Sequence, residues 1–273
     1  MRAHRWCKIE TLSHAAADVK KTTDRHQAIL ELVRTRDANV EELCAALGVS
    51  EATIRRDLTA LAKQRRLVRT YGGATALVGV HEPEASLEER KAAQSEQKEA
   101  IAQAAAAHVR EGDTVLLDGG TTCAALARHL CARENLHVVT NNLLAVTSLA
   151  NAPGVRLTLI GGELRGSSMS TLGPLAELIL SRLTVDRAFL GADGVVAGFG
   201  LCETTAQQAY LKECIVARAA EIIVLADSAK LGRARQQHWT PIQRDWRLIT
   251  SATATEELLA PFRALPEVTV EVA

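Results

Sequence analysis

Residues 49–74 read VSEATIRRDLTALAKQRRLVRTYGGA, and this stretch decides the fold of the first part of the chain. Ser50 is a strong N-cap residue ahead of a run in which Ile54, Leu58 and Leu61 recur at helical spacing. Thr53, Arg55, Arg56 and Lys63 fall off that apolar stripe and are free to face outward. Beyond the helix, Leu67 to Tyr71 read as one short strand and Ala74 onward as a second, joined at the hairpin signal Gly72-Gly73.

Upstream, VEELCAALGVS (residues 40–50) sets Val40, Leu43, Ala46 and Leu47 on one face and stops at a tight turn through Gly48, Val49 and Ser50. DRHQAILELVRT (residues 24–35) spaces Ile29, Leu32 and Val33 as a first helix, with Asp24 placed to cap it. Two short helices joined by a Gly-containing turn, with Arg and Thr near the start of the second, give the geometry that places a helix in a major groove. Arg grips guanine edges or phosphates, Thr contacts phosphate or the thymine methyl, and a helix N-terminus itself attracts phosphate. The hairpin is then a wing, laying Arg69 and Tyr71 beside the phosphate backbone.

Charge supports this locally and not globally. The 273 residues carry 32 Lys+Arg and 32 Asp+Glu, a formal net charge of zero, so the chain as a whole gives no sign of nucleic-acid affinity. Between Ala52 and Gly72, however, six basic residues (Arg55, Arg56, Lys63, Arg65, Arg66, Arg69) face one acid, Asp57. With aromatics at 3%, stacking on single strands is disfavoured and duplex DNA is the expected partner. The expected DNA contacts are Ser50, Thr53, Arg55, Arg56, Arg69, Tyr71, Gly72 and Gly73.

The 49–74 stretch resembles the reader of DeoR-family bacterial regulators, which carry V-S-x-x-T-I-R-R-D-L and an R-x-x-G-G-A wing. Two positions depart from the family pattern: Arg65 stands where a Gly is usual before the wing, and Tyr71 where many members have His.

The organisation expected is a basic N-terminal extension (1–23), a winged helix-turn-helix (24–79), a linker (80–90) and an α/β effector-binding domain (91–273). The linker reading rests on the polar, Pro83-containing GVHEPEASLEER (residues 79–90). An Ala-rich helix from roughly Lys91 to Val109 follows. After it, the apolar runs TVLLD, LHVVT, VRLTLIG, DRAFLGA, EIIVLAD and WRLIT alternate with helical patterns, which implies a mostly parallel sheet covered on both faces.

In such folds ligands sit beyond the carboxyl ends of the strands, and polar clusters fall in that place. Asp118-Gly119-Gly120-Thr121-Thr122 opens a helix and suits a phosphate. Thr140-Asn141-Asn142, Gly161-Gly162 with Arg165, Gly191-Ala192-Asp193-Gly194 and Asp227-Ser228-Ala229-Lys230 follow four other strands. Together they offer phosphate donors, cations and hydroxyl-binding Asp and Asn, which points to a phosphorylated sugar or polyol. Neither G-x-x-x-x-G-K-[ST] nor G-x-G-x-x-G occurs, so no nucleotide cofactor is expected.

GDTVLLDGGTT, VVTNNL, LIGGELR, AFLGADG and LADSAK resemble the DeoR-family sensor domain, which is similar in fold to ribose-5-phosphate isomerases and recognises phosphorylated sugars. The resemblance implies effector-site roles for Asp118 through Thr122, Thr140 to Asn142, Gly161, Gly162, Asp193, Lys212 and Lys230. Lys212 has an alternative, a solvent-facing position on its helix.

The competing class is a sugar-phosphate isomerase with an accessory DNA-binding domain, using Asp193 and Lys230 as acid and base. Glu203 is the nearest second acid, and its plainer reading is a helix-start residue favoured by the dipole. The regulator reading expects a repressor without catalytic or metal-binding residues, acting as a homo-oligomer because one recognition helix makes too few base contacts for selectivity. Cys7, Cys44, Cys123, Cys131, Cys202 and Cys214 form no C-x-x-C pair and read as reduced structural thiols. No run spans a bilayer and the basic N-terminus is a poor secretion signal, so the cytoplasm is the expected compartment.

Overall fold

The computed structural model describes residues 22–33, 38–64, 66–70, 73–76 and 84–273, which divide into two compact units, Met1–Val80 and His81–Ala273. In the first unit, helix α1 covers 22–33 of the described residues, so Asp24 is itself helical instead of capping it. Strand β1 (Ala38–Asn39), α2 (Val40–Leu47), α3 (Glu51–Lys63), β2 (Leu67–Thr70) and β3 (Gly73–Ala76) complete the unit. Asn39 caps α2 through a reciprocal box with Glu42, and Gly48, at φ 64°, supplies the left-handed residue that ends it. Ile29, Val33, Leu43, Ile54, Leu58, Leu61 and Leu67 meet in one core, as the helical spacing requires.

The wing differs from expectation in register. Thr70 pairs with Gly73, so the return strand begins one residue earlier than Ala74 and forms a three-stranded sheet in the order β1-β3-β2. A Cβ on Gly73 would lie 2.1 Å from the Ala38 carbonyl oxygen, so Gly is required there for β1 to approach. Tyr71, Gly72 and Arg65 lie outside the described residues, and so does the extension before 22.

The second unit starts within the segment read as linker. Leu87–Ala92 is a helix, α4, capped by Ser86 and Glu89, and Ser95–Ala106 is α5. The single Ala-rich helix expected is therefore two, broken at Ala93-Gln94, where Gln94 takes φ 54°. The central sheet has seven strands, all parallel: β4 (Thr114–Leu117), β5 (Leu136–Thr140), β6 (Val155–Leu159), β9 (Val185–Leu190), β12 (Ala219–Leu225), β14 (Trp246–Thr250) and β15 (Val268–Val272). Their order is β15-β14-β12-β9-β4-β5-β6. The six expected strands are present, and β15 is a seventh that the sequence reading lacked.

Alternate residues of these strands enter different cores. Val115, Leu117, Phe189, Ile223 and Ile249 pack with α5, α6 (Thr121–Leu130) and α7 (Leu143–Leu149), while Leu116, Leu190, Ile222 and Leu248 pack with α8 (Pro174–Leu180), α9 (Ala206–Arg218) and α10 (Glu256–Arg263). This is a three-layer arrangement, with the period of two along each strand feeding both faces. Hairpin β7 (Glu163–Arg165) and β8 (Ser170–Leu172), and the small sheet of β10 (Gly194–Val196), β11 (Gly200–Glu203) and β13 (His238–Thr240), extend from the strand ends. The order reverses between β4 and β9, and the crevice beyond their carboxyl ends is where such a sheet leaves room for a ligand.

Candidate functional site

The first unit presents the start of α3. Ser50 caps it by accepting from the Thr53 amide at 3.4 Å, and the two hydroxyls lie 3.0 Å apart. Arg55 and Arg56 are exposed, and Arg55 pairs with Glu51 one turn back, donating from Nε to Oε1 at 2.9 Å. An exposed pair of this kind is worth little in water, so a phosphate can compete for Arg55. Asp57, the one acid in this basic segment, points inward: Arg25 Nε lies 2.5 Å and His26 Nε2 3.2 Å from its carboxylate. Burial pushes its acidity one way, but the Arg25 and His26 hydrogen bonds outweigh it and hold the carboxyl below its ordinary value. The remaining charge on the outer face of α3 is thus dominated by cations. Arg69 lies on β2 with its side chain outside the described set.

The second unit has a cavity of about 270 Å³ at the β4/β9 switch point. Asp118, Gly119, Gly120, Thr121, Thr122, Asn141, Asp193, Lys212 and Lys230, all expected from the sequence, line it. Gly120 caps α6 at φ 117°, a conformation that exposes the amides of the helix N-terminus. Thr140 and Asn142 stand behind this loop and fix it. The Thr140 hydroxyl donates to the Leu117 carbonyl at 2.6 Å, and Asn142 Nδ2 donates to the carbonyls of Asp118 at 3.1 Å and Gly120 at 2.9 Å. Gly161, Gly162, Arg165 and Gly194 are not among the lining residues. Arg165 instead donates to Glu84 Oε1 at 3.1 Å.

A buried charge cluster forms the floor. Lys212 is 5% exposed, not solvent-facing; its Nζ donates to Asp118 Oδ2 and lies 3.4 Å from Glu203 Oε1. Glu203 closes β11, and Thr205 caps α9, so Glu203 is no helix-start residue. Burial, opposed by Lys212 and reinforced by Asp193 and Asp118, pushes its carboxyl up to about 8. Burial alone would lower Lys212, but Asp118 and Glu203 raise it, keeping it charged.

The sequence reading missed the opposite wall. Glu84, Arg90, Gln94 and Lys98 line the cavity, so the segment 84–98 is a strap across it. Lys98 Nζ donates to the Arg90 carbonyl and, at 2.5 Å, to that of Ala93, holding the last turn of α4. Arg90 lies 3.2 Å from Glu84 and donates to the Ser167 carbonyl. Burial, with Lys230 nearby, pulls Lys98 below its ordinary value. One signal was readable: Lys98 falls on the stripe of Ile101, Ala102 and Ala105, where a lysine has no business in a purely apolar contact. Glu203 was legible only as the nearest second acid to Asp193, and Arg90 gave no signal.

The described thiols are free, and burial pushes those of Cys123 and Cys202 up to about 12. Among the described residues no His, Cys, Asp or Glu cluster suits a metal ion, and no helix is long and apolar enough to cross a membrane.

Comparison with known proteins matches this architecture part by part. Residues 25–78 match the DeoR-like helix-turn-helix domain, and residues 93–252 match the DeoR C terminal sensor domain. The chain belongs to the DeoR family of transcriptional regulators. Its DeoR-family relatives include the uncharacterized HTH-type transcriptional regulator YulB of Bacillus subtilis, 36% identical over 84% of this chain and 88% of that one. The glycerol-3-phosphate regulon repressor of Escherichia coli is 35% identical over 78% and 84%. The lactose phosphotransferase system repressor of Streptococcus mutans is 33% identical over 86% and 94%. A solved ribose 5-phosphate isomerase from Methanocaldococcus jannaschii aligns with 50% of this DeoR-family chain and 55% of its own, at 21% identity and a TM-score of 0.38.

Proposed function

We propose that this regulator is a homo-oligomeric repressor that holds operator DNA through α3 and the wing, and that a phosphorylated sugar or polyol in the second unit's cavity changes its DNA affinity. The observation that carries the reading is the make-up of one cavity. The amide-bearing start of α6 together with Lys98 and Lys230 suits an anion, while Asp118, Asn141, Asp193 and Glu203 suit hydroxyls. The names of the relatives, repressors of sugar-related and glycerol-phosphate genes, support regulation over catalysis. So does the engagement of the acids: Asp193 accepts from the Thr204 hydroxyl at 2.8 Å, and Asp118 is paired with Lys212.

In the DNA contact, Ser50, Thr53, Arg55, Arg56, Arg69, Tyr71, Gly72 and Gly73 read or grip the duplex. Self-association is supported by Leu175 and Leu178, which stand 63% and 54% exposed one turn apart on α8. For release, the ligand must favour the DNA-incompetent arrangement by a differential free energy of about 1–3 kcal/mol.

The test is a gel-shift titration of the full chain on DNA from its own upstream region, with and without a panel of sugar phosphates, alongside a turnover assay on the same compounds. A ligand-dependent shift without turnover is the expected result. Turnover of a sugar phosphate would replace the sensor reading with the isomerase one.

A further inference from the structure

Among the described residues, five buried side-chain atoms have no hydrogen-bond partner: Arg90 Nε, Asn141 Oδ1, Glu203 Oε1, Arg247 Nε and Thr250 Oγ1. Buried polar atoms are nearly always satisfied, so each such atom needs an explanation. Three of the five belong to residues that line the β4/β9 cavity; the other two are both on β14.

The two oxygens in the cavity are left over for identifiable reasons. Asn141 Nδ2 donates to the Thr171 carbonyl at 3.2 Å, which fixes the amide and leaves Oδ1 as the unspent acceptor. Gln208 Nε2 donates to Glu203 Oε2 at 3.3 Å, so that oxygen is served. Glu203 Oε1 has only the ion-pair approach of Lys212 at 3.4 Å, which makes no hydrogen bond, while Lys212 Nζ donates to Asp118. Asn141 is 1% exposed and Glu203 2%, so bulk water does not finish either one.

We infer that Asn141 and Glu203 are the hydroxyl-reading pair of the cavity, and that its ligand is a phosphorylated polyhydroxyl compound offering a separate O–H to each, with its phosphate toward Lys98 and Lys230. The inference rests on the reading of the cavity as an effector site. Asn141 Oδ1 accepts only, so its partner must donate; a carbonyl or ether oxygen does not serve. At Glu203 a hydroxyl is the one common ligand group that fits both protonation states, since it accepts from the acid and donates to the carboxylate. Arg90, on the strap, supplies a further donor for the anionic end.

The experiment is calorimetric titration of the full chain with glycerol 3-phosphate, erythritol 4-phosphate, ribitol 5-phosphate and glucitol 6-phosphate. Each is set against the n-alkyl phosphate of the same carbon number. The expected result is that at least one polyol phosphate binds tenfold or more tightly than its alkyl twin, the discrimination typical of a site whose buried polar groups are left unpaired by the analogue. Asn141→Ala and Glu203→Ala each lose most of that preference, and Glu203→Gln, which keeps an acceptor, recovers part of it. Equal binding of every pair by the unaltered chain overturns the inference while leaving the anion-binding effector reading intact, and needs no variant to fold. Absence of binding by both series and by inorganic phosphate overturns both.

Discussion

Asp57 in the reader and Glu203 in the sensor are both buried acids, 4% and 2% exposed, yet their carboxyls are held in opposite states. Asp57 is hydrogen-bonded by both Arg25 and His26 and is pulled below its ordinary value. Glu203 shares Lys212 with Asp118, so burial prevails and pushes it up to about 8. What differs is how fully each acid is hydrogen-bonded. The reader satisfies Asp57 and uses the pair to fasten α3 to α1, whereas the sensor leaves Glu203 Oε1 without a hydrogen bond, the state expected of a site completed by a ligand.

The most severe way to break this comparison is Lys212→Met. It strands Asp118 and Glu203 without their cation, and the second unit is expected to lose about 3–5 kcal/mol in urea denaturation. A loss under about 1 kcal/mol would mean that the cluster is not held together by Lys212.

The reader's exposed cations are expected to behave unlike its buried pair. Replacing both, as Arg55→Ala with Arg56→Ala, weakens operator binding ten- to hundredfold and flattens its salt dependence, while thermal stability stays within about 0.5 kcal/mol. Unchanged DNA binding would move the recognition surface elsewhere.

Asp57→Ala sharpens the contrast through pH. Because the folded value lies below the unfolded 3.8, the pair's contribution is fully present above about pH 4 and is lost as pH falls through the folded value. Wild type should exceed the variant by about 1–2 kcal/mol at pH 7, with the gap closing below pH 4; a constant gap would assign the effect to packing.

The last expected change has the opposite sign. Glu203 is raised from 4.5 to about 8, so the folded chain binds the extra proton and loses stability as pH climbs between those values. Glu203→Gln removes that loss, and its melting temperature should gain on wild type progressively from pH 5 to pH 8. A melting difference that does not move with pH would show that Glu203 carries no proton.

Much of the fold was legible because it depends on local spacing. Ile54, Leu58 and Leu61 write α3 at a period near 3.6, and the strand runs from Val115 to Ile249 carry enough β-branched and apolar residues to be read singly. Elements defined by pairing more than by local pattern were not legible. β1 has two residues and exists through its pairing with β3, and β15 is a five-residue edge strand recognised by its register with β14. The break at Gln94 in a stretch of good helix formers is likewise a tertiary matter, tied to Lys98 gripping the Ala93 carbonyl.

The candidate site divides in the same way. The strand-end loops from Asp118 to Thr122, with Asn141, Asp193 and Lys230, could be named because a parallel sheet places every such loop on one edge. Gly161 and Gly162 lie in the β6–β7 turn, Arg165 on β7 and Gly194 on β10, and none of the four is in the cavity wall.

By itself the sequence determined the reader's helices and six strands of the central sheet, that the chain joins a basic reader to a parallel α/β unit, and that several polar loops share an edge. Periodicity, capping and turn chemistry act over a few residues, and that is the range a sequence displays. Only the tertiary structure decided that Glu203 is buried beside a lysine already committed to Asp118, and that Arg90 and Lys98 wall the same cavity. Burial and shared partners are properties of residues brought together from as far apart as 84 and 236, so no local pattern records them.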